Sequence, residues 1–379
     1  MNETIKKQNM IFIGMIALGV FLRFFVMTFG HNFDFESYCI VGEIAGNFRN
    51  VYAETGRYNY GPIFFCIQGL LYRLAHMNPM DWESTYRVLM VSVLTMTDLG
   101  IAFFVANKYS IRKAIIFFLN PVSIIITGYH NQFDNIAVLL ALLLMCFYNE
   151  EKEWNRKDIG FVVLFSLSLI TKHILFILPL FIILRKNLCW KKKIVFACVP
   201  PLFFLMSFAP FAVANPAALN GIINNVFLYR SGNNAPLLFL LYRIIGFPES
   251  PRILVYIGMM ALVAYLTRKY SFEKQLLIYL MTMVTFASAM ANQYLIIPMV
   301  ALCVLDIRWF RYVYILIIGL FLIMYTDGLN YLSYIQNGHS GYLLHLFERF
   351  IAGGYMWATW ILLITSIYVM YKEYKQLKH

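Results

Sequence analysis

The stretch MIFIGMIALGVFLRFFVMTFGHNFDFESY, residues 10–38, decides the fold class of this chain. Its first part, Met10 to Gly30, is a run of lipid-compatible residues, and a membrane-spanning helix needs about 20 of them. Two carboxylates, Asp34 and Glu36, follow closely after that run. The chain therefore places acidic groups at the point where it leaves the bilayer, and their presence there needs an explanation.

The composition of the whole chain is typical of a protein with many membrane spans. Of its 379 residues, 61% are hydrophobic and 13% are charged, and the mean hydropathy is +0.67. Soluble domains are usually about 45–50% apolar and about 25% charged. The net charge of +12 does not indicate a nucleic-acid partner, because the basic residues lie in short clusters between apolar runs. We expect an all-α polytopic membrane protein that binds no nucleic acid.

Apolar windows predict about twelve transmembrane helices within one integral-membrane domain, residues 1–379. A first span at 10–29 is followed by an outer loop at 30–84, core spans within 85–306 and C-terminal spans within 307–379. The predicted spans lie near 10–29, 85–106, 114–128, 134–149, 159–173, 174–185, 194–214, 252–268, 275–291, 294–306, 312–327 and 350–371.

The distribution of lysines predicts the orientation of the chain in the cell membrane. With both termini on the cytoplasmic side, every lysine except Lys172 falls on the inner side, as the positive-inside rule requires. Treating Tyr60–His76 as a span would reverse the later loops and place their basic clusters outside. We therefore predict that the outer loop instead holds two interfacial amphipathic helices, roughly 36–49 and 62–76.

On this arrangement the unusual polar residues gather on the outer side. The segment GYHNQFDN, residues 128–135, joins the third and fourth predicted spans, and TKH, residues 171–173, ends the fifth. The inner loops are short, basic and chemically plain. A transporter is expected to line a cavity at the bilayer midplane, so this one-sided distribution favours chemistry at the outer membrane surface. Further outer stretches are YNYGP at 58–62, NNVFLYRSGNN at 224–234 and ANQY at 291–294.

Each polar feature also has a structural interpretation. Acids after a first span are often solvated loop charges, and Asp134 could cap the helix of span four. Lys172 could extend its amine to the interface, although snorkelling lysines are favoured on the inner side. Asp98 lies inside a span, where a charge is costly, and predicts a polar partner with a structural role. His130 and His173 have no third ligand at zinc spacing, so we predict no metal and no cofactor.

Taken in order, these stretches resemble the GT-C superfamily of membrane glycosyltransferases, which use polyprenyl- or dolichyl-phosphate sugars. They are most similar to the dolichyl-phosphate-glucose glucosyltransferases of the asparagine-linked glycan pathway. That family has an Asp soon after the first span, a YPP helix and a later span with an Asp-Leu pair. Its NP…HFQYN segment resembles NPVSIIITGYHNQFDN, residues 120–135, and its outer lysine resembles that of TKHILFILP, residues 171–179.

Other stretches extend or qualify the resemblance. ANQYLIIP, residues 291–298, resembles a QYxxW-like stretch of mannosyltransferases of the GPI pathway. YNYGP has one proline where the family tends to have two, and GYHNQFDN has Asp where the family has Tyr. The short, loop-poor chain suggests a bacterial homologue that uses an undecaprenyl-phosphate sugar.

The resemblance implies an inverting hexosyltransferase of the GT-C type. It would move a hexose from a polyprenyl-phosphate donor to a lipid-linked or surface glycan acceptor in glycan biosynthesis, with membrane lipids as further partners. By resemblance Asp34 is the general base. Glu36 is a rival base if the chain is extended there, whereas in a helix the two side chains diverge by about 200°. Lys172, His173 and Arg230 are the candidates for the donor phosphate. The candidates for sugar or acceptor binding are Tyr58, Tyr60, His130, Asn131, Gln132, Asp134, Gln293 and Tyr294.

Two other functions are compatible with the same sequence. A polysaccharide polymerase or ligase also has many spans and outer loops, but it uses diphosphate-linked oligosaccharides. A flippase for lipid-linked sugars would show polar groups at mid-bilayer depth and would be accessible from both sides. A lipid O-acyltransferase is a further candidate, supported mainly by histidines near membrane ends.

Overall fold

The computed structural model describes residues 3–78, 80–229, 236–237, 252–326, 350 and 353–378. Within these residues every regular element is a helix, and no strand is present. The all-α class predicted from the sequence is therefore confirmed for the described part of the chain.

The described residues of the first half of the chain form ten α-helices. Between the ninth and tenth lies one 3-10 turn, His173–Leu175. The helices are α1 Glu3–Met27, α2 Phe33–Gly46, α3 Val51–Glu54, α4 Pro62–Ala75, α5 Trp82–Lys108, α6 Ile111–Leu119, α7 Pro121–Gly128, α8 Asp134–Phe147, α9 Arg156–Thr171 and α10 Leu178–Leu184.

The second half contributes eight more described α-helices, a π-helix at Ile222–Phe227 and a 3-10 turn at Asn292–Ile296. The helices are α11 Trp190–Met206, α12 Ala209–Ala214, α13 Pro216–Gly221, α14 Arg252–Thr267, α15 Phe272–Thr285, α16 Met299–Val304, α17 Arg308–Tyr325 and α18 Gly354–Gln376.

Five described helical segments are long and apolar enough to cross a membrane: Met10–Met27, Trp82–Lys108, Trp190–Ala214, Arg308–Tyr325 and Gly354–Gln376. Two bent helix pairs raise the number to seven if each pair is one span. The chain thus has the helices of a membrane protein, whereas the predicted arrangement of twelve spans stays a prediction.

The bent pairs occur where the sequence interrupts a helix. The helices α6 and α7 meet at 50° because Pro121 begins α7 and cannot continue the preceding helix. The helix α9 and the segment His173–Leu184 meet at 114°, and Lys172 at the break is in an extended conformation. The spans predicted near 134–149 and 252–268 correspond to helices of 14 and 16 residues. Both helices are shorter than a typical span.

The predicted outer loop at 30–84 contains the helices that its sequence indicates. Pro62 occupies the first turn of α4, where its missing N–H costs nothing. The helices α2 and α4 pack against each other, and a Cβ on Gly69 would meet the backbone of Ala45 at 2.8 Å. Both predicted loop helices are present, and α2 begins a few residues earlier than predicted.

A buried ion pair joins the helices beneath this loop. Arg23 of α1 lies 2.8 Å from Asp98 of α5, and both side chains are fully buried. Asp98 also accepts hydrogen bonds from Thr127 at 2.7 Å and from Asn135. Four helices, α1, α5, α7 and α8, are thereby tied together, so Asp98 has the polar partner and the structural position predicted for it.

Candidate functional site

Asp34 lies in the first turn of α2, just beyond a sharp turn at Gly30. Gly30 has φ of +121°, which glycine adopts readily, and its carbonyl accepts a hydrogen bond from Arg87. The Oδ2 atom of Asp34 accepts hydrogen bonds from Asn32 Nδ2 at 3.1 Å and from Gln132 Nε2 at 2.6 Å. Both bonds use Oδ2 and the side chain is only partly buried, so Oδ1 can accept a further donor.

Gln132 is held in one orientation by a hydrogen bond from Tyr38. Its Oε1 accepts a hydrogen bond from the Tyr38 hydroxyl at 3.1 Å, and the Tyr38 carbonyl accepts one from Tyr86 at 2.9 Å. A glutamine amide has one acceptor oxygen and one donor nitrogen. Because the oxygen is occupied by Tyr38, the nitrogen is directed at Asp34.

The chain around Gln132 is shaped by Asn131. Asn131 has φ of +54°, a conformation that asparagine tolerates better than most residues. Its amide donates to the carbonyls of Thr127 and Gly128, both at 3.1 Å, and so satisfies the end of α7. Asn131 is fully buried in this role, and its side-chain nitrogen donates to the backbone. Its predicted contact with a sugar stays a prediction.

Asp134 and Lys172 form a buried ion pair next to this segment. Lys172 Nζ lies 2.6 Å from Asp134 Oδ2, with side-chain exposures of 3% and 0%. The ammonium also lies 4.8 Å from the centre of the Tyr60 ring and 4.5 Å from that of Phe133, distances at which cation–π attraction operates. Lys172 is therefore not exposed at an interface. It is buried between a carboxylate and two aromatic rings.

Tyr60 belongs to the same cluster of charges. Burial, together with the negative charges of Asp134 and Asp34, raises its pKa well above the ordinary value. A side-chain hydrogen bond from Gln293 lowers the pKa by less than these effects raise it. The Tyr60 phenol therefore remains protonated and can donate a hydrogen bond at neutral pH.

A cavity of about 310 Å³ opens beside Lys172. Tyr60, His173 and Tyr294 contribute polar groups to its lining. The rest of the described wall is mainly aliphatic and aromatic, with residues of the segment Ile174–Ile177 and of α14 and α15. The wall residues are Ile174, Phe176, Ile177, Ile253, Tyr256, Ile257, Met283, Ala287, Ser288 and Ala289.

The shape of this site follows from a close approach of two backbones. A Cβ on Gly61 would lie 2.0 Å from the Ile170 carbonyl oxygen, so only glycine fits at the start of α4. This contact brings the YNYGP stretch against the end of α9, immediately before Lys172. Tyr58 braces the same turn, since its hydroxyl donates to the Gly61 carbonyl at 2.6 Å and accepts from the Phe65 amide at 3.2 Å.

Several predicted site residues lie outside the cluster or serve other contacts. Glu36 is exposed on the helix α2, so the extended conformation that would have aligned it with Asp34 is not present. His130 contacts Thr326 Oγ1 at 3.2 Å, and burial lowers its pKa to about 4. Asp134 does not cap α8 with its side chain but binds Lys172. Arg230 lies outside the described residues.

Tyr38 is one of three residues next to the charged groups that were not predicted from the sequence. It lies four positions after Asp34 on α2, and residues at this spacing share one helix face. Once 33–46 is predicted as a helix, that spacing is a usable signal. Asn32 and Phe133 were also missed, and only their contacts in the folded chain show that they surround the two charged groups.

No metal site accompanies these residues in the part of the chain that the structure describes, where no three His, Cys, Asp or Glu side chains are grouped suitably for a metal ion. The described site brings together a carboxylate, an ammonium group, a protonated phenol and amides. No protein-family model matches the chain, and no curated protein and no solved structure matches it.

Proposed function

We propose that this protein is an inverting membrane glycosyltransferase that moves a hexose from a polyprenyl-phosphate donor to a lipid-linked or surface glycan acceptor. One observation carries the proposal. The carboxylate of Asp34 and the ammonium of Lys172 are held by neighbouring residues of one segment, Gln132 and Asp134, and Lys172 faces a largely apolar cavity.

The cavity suits a lipid donor because it joins polar and apolar surface. Lys172, His173 and Tyr294 would meet the phosphate and sugar, while the aliphatic wall formed with α14 and α15 would cover the first part of a prenyl chain. Ligand pockets are commonly apolar with a few placed polar groups that fix orientation. A soluble nucleotide-sugar donor would leave the apolar wall without a partner.

The reaction follows from the two charged groups. The acceptor hydroxyl would donate its proton to Asp34, and its oxygen would bond to the anomeric carbon as the bond from that carbon to the phosphate oxygen breaks. The electron pair of the broken bond leaves with the phosphate, which needs no proton. Asp34 acts as general base, and the cation stabilises charge on the departing phosphate. One displacement inverts the anomeric centre.

Lys172 can contact a phosphate without leaving Asp134. An ammonium group has three N–H donors, and Asp134 accepts one of them. Asp134 would hold the lysine in place, and the remaining donors would be available at the cavity. Tyr60, kept protonated, would donate a hydrogen bond to the donor or acceptor, and Gln293 would orient the Tyr60 hydroxyl.

The finer membrane arrangement is part of the same proposal. The five to seven candidate spans would be completed by shorter apolar helices into a GT-C-type bundle of about twelve. Both termini would be cytoplasmic and the site would face outward, as the lysine distribution predicts.

The experiment that tests this function supplies purified protein with a panel of polyprenyl-phosphate hexoses and candidate lipid-linked acceptors. Release of polyprenyl phosphate together with a hexose-extended product, measured by mass spectrometry, is the expected result. Diphosphate-linked oligosaccharides form the control arm, and transfer from them alone would instead indicate the polymerase or ligase. Passage of intact donor across the bilayer of proteoliposomes without transfer would indicate a flippase.

A further inference from the structure

A second, differently charged cavity lies at the opposite end of α5 from Asp34. It has a volume of about 260 Å³ and is lined where the start of α6 meets the start of α17. The helix α5 has 27 residues, so its ends are about 40 Å apart. This end carries the basic clusters that the positive-inside rule assigns to the cytoplasm.

Four basic side chains line this cavity: Arg112, Lys113, Arg308 and Arg311. Among the described lining residues the one carboxylate is Asp306, and Lys372 Nζ lies 3.2 Å from its Oδ2 atom. The charge of Asp306 is thus already balanced by a lysine from α18. The four basic groups therefore leave a local excess of positive charge.

Two of the four cations are anchored by the protein. Arg311 Nη1 donates to the Cys303 carbonyl at 2.7 Å, and Lys113 Nζ donates to the Val304 carbonyl. Both carbonyls belong to the last turn of α16, where acceptors lack helical partners. These contacts fix the side chains at the cavity wall, as a preformed binding site requires.

The same cations retain unused donors. Arg311 is 5% exposed, and its Nε has no hydrogen-bond partner among the described residues. A buried guanidinium nitrogen without an acceptor is costly, so this Nε is available to an acceptor on a ligand bound in the cavity. Arg112 and Arg308 are exposed and make no hydrogen bond or salt bridge within the described part of the chain.

The backbone at this cavity also favours an anion. The helices α6 and α17 both begin at its wall, and a helix N-terminus carries partial positive charge and N–H donors directed outward. Trp309 and Tyr312, exposed by 84% and 45%, lie in the first two turns of α17. Such aromatic residues are typical of the headgroup level of a membrane.

We propose that this cavity binds the phosphate group of an anionic phospholipid from the cytoplasmic leaflet, held by Arg112, Arg308 and Arg311. Guanidinium groups suit phosphate oxygens because they donate in pairs, and the aromatic residues place the cavity at the depth where headgroups lie. The site is separate from the cavity at Lys172 and does not depend on the proposed transferase activity.

The test measures binding of phosphatidylglycerol to the purified full-length chain by native mass spectrometry, with phosphatidylcholine as the neutral lipid. Phosphatidylglycerol should bind more tightly to the wild type, and Arg112→Gln/Arg308→Gln should weaken that binding by about five-fold for each arginine removed. The control Arg156→Gln/Lys157→Gln removes the same charge from the exposed start of α9 and should leave the binding unchanged.

Three outcomes would overturn the proposal. The first is equal weakening by the two double variants, which would show general attraction to positive charge. The second is equal binding of the two lipids by the wild type, a measurement that needs no variant to fold. The third comes from inorganic phosphate alone. If inorganic phosphate displaces phosphatidylglycerol completely at the same concentration as the lipid, the cavity binds a soluble phosphate and not a lipid headgroup.

Discussion

Asp34 and Lys172 are joined by one short piece of chain: Gln132 donates a hydrogen bond to Asp34 at 2.6 Å, and Asp134 accepts one from Lys172 at 2.6 Å. The two charged groups come from segments more than a hundred residues apart in the sequence. Their common attachment to residues 132–134 brings both to one short segment, which is the arrangement that the proposed displacement needs.

Replacing Lys172 by Met should weaken donor binding and also destabilise the fold. Leaving a buried partner charge unpaired typically costs about 3–5 kcal/mol, here at Asp134. The double variant Asp134→Asn/Lys172→Met removes both charges and should recover most of that stability. It should nevertheless bind the polyprenyl-phosphate donor poorly, as measured by donor titration. Wild-type donor affinity in the stable double variant would remove Lys172 from the phosphate site.

Tyr38→Phe should loosen the orientation of Gln132 without removing any charged group. The stability loss should be about 1 kcal/mol, the usual value for one hydrogen bond. Turnover should fall, with little change in the apparent affinity for donor, because the amide would no longer be held toward Asp34. Steady-state kinetics separate the two effects, and a rise in the donor KM with unchanged kcat would contradict the assigned role.

The pair Arg23 and Asp98 should contribute to stability and not to chemistry. Arg23→Leu leaves Asp98 buried without its cation, and the expected loss is about 3–5 kcal/mol. The double variant Arg23→Leu/Asp98→Leu should lose less than the single variant. Thermal unfolding in detergent provides the measurement, and a double variant as unstable as Arg23→Leu would argue against an unpaired charge as the cause.

His130 should make the protein less stable as the pH falls below about 6.5. Its folded-state pKa is lowered to about 4 by burial, so between these values the unfolded chain binds a proton that the folded chain does not. The free energy of unfolding should fall by up to about 1.4 kcal/mol for each pH unit in this range. His130→Gln should flatten this dependence relative to wild type between pH 6.5 and 4.5, and parallel unfolding curves for the two proteins would contradict it.

Part of this architecture could be predicted from the sequence because local patterns determine it. Pro62 and the apolar spacing after it predict α4, and the run from Met10 predicts α1. The break at Pro121 was not predicted, because a hydropathy window averages over it and gives one span near 114–128. The bend at Lys172 lies at the predicted boundary between the spans near 159–173 and 174–185. Short apolar helices such as α8 have the composition of a span without its length.

The site could be predicted in its charged members but not in their partners. Lys172 was conspicuous as the only lysine on the predicted outer side, and Asp34 followed the first span. The pairing of Asp134 with Lys172 depends on long-range packing. The contacts of Tyr58 and Asn131 are local, but they depend on backbone conformations that the residue types alone do not specify. Hydrogen-bond partners of this kind are set by the folded chain, and a linear pattern of residue types does not contain them.

The central claim is that Asp34 accepts the proton of the acceptor, and the pair of variants Asp34→Asn and Glu36→Gln tests it most directly. Both remove one carboxylate from the first turn of α2, but only Asp34 contacts Gln132. Measured by transfer from a polyprenyl-phosphate hexose, Asp34→Asn should lose about 10²–10⁴-fold in turnover while still binding donor, and Glu36→Gln should remain close to wild type. Near-normal transfer by folded Asp34→Asn protein would contradict the account.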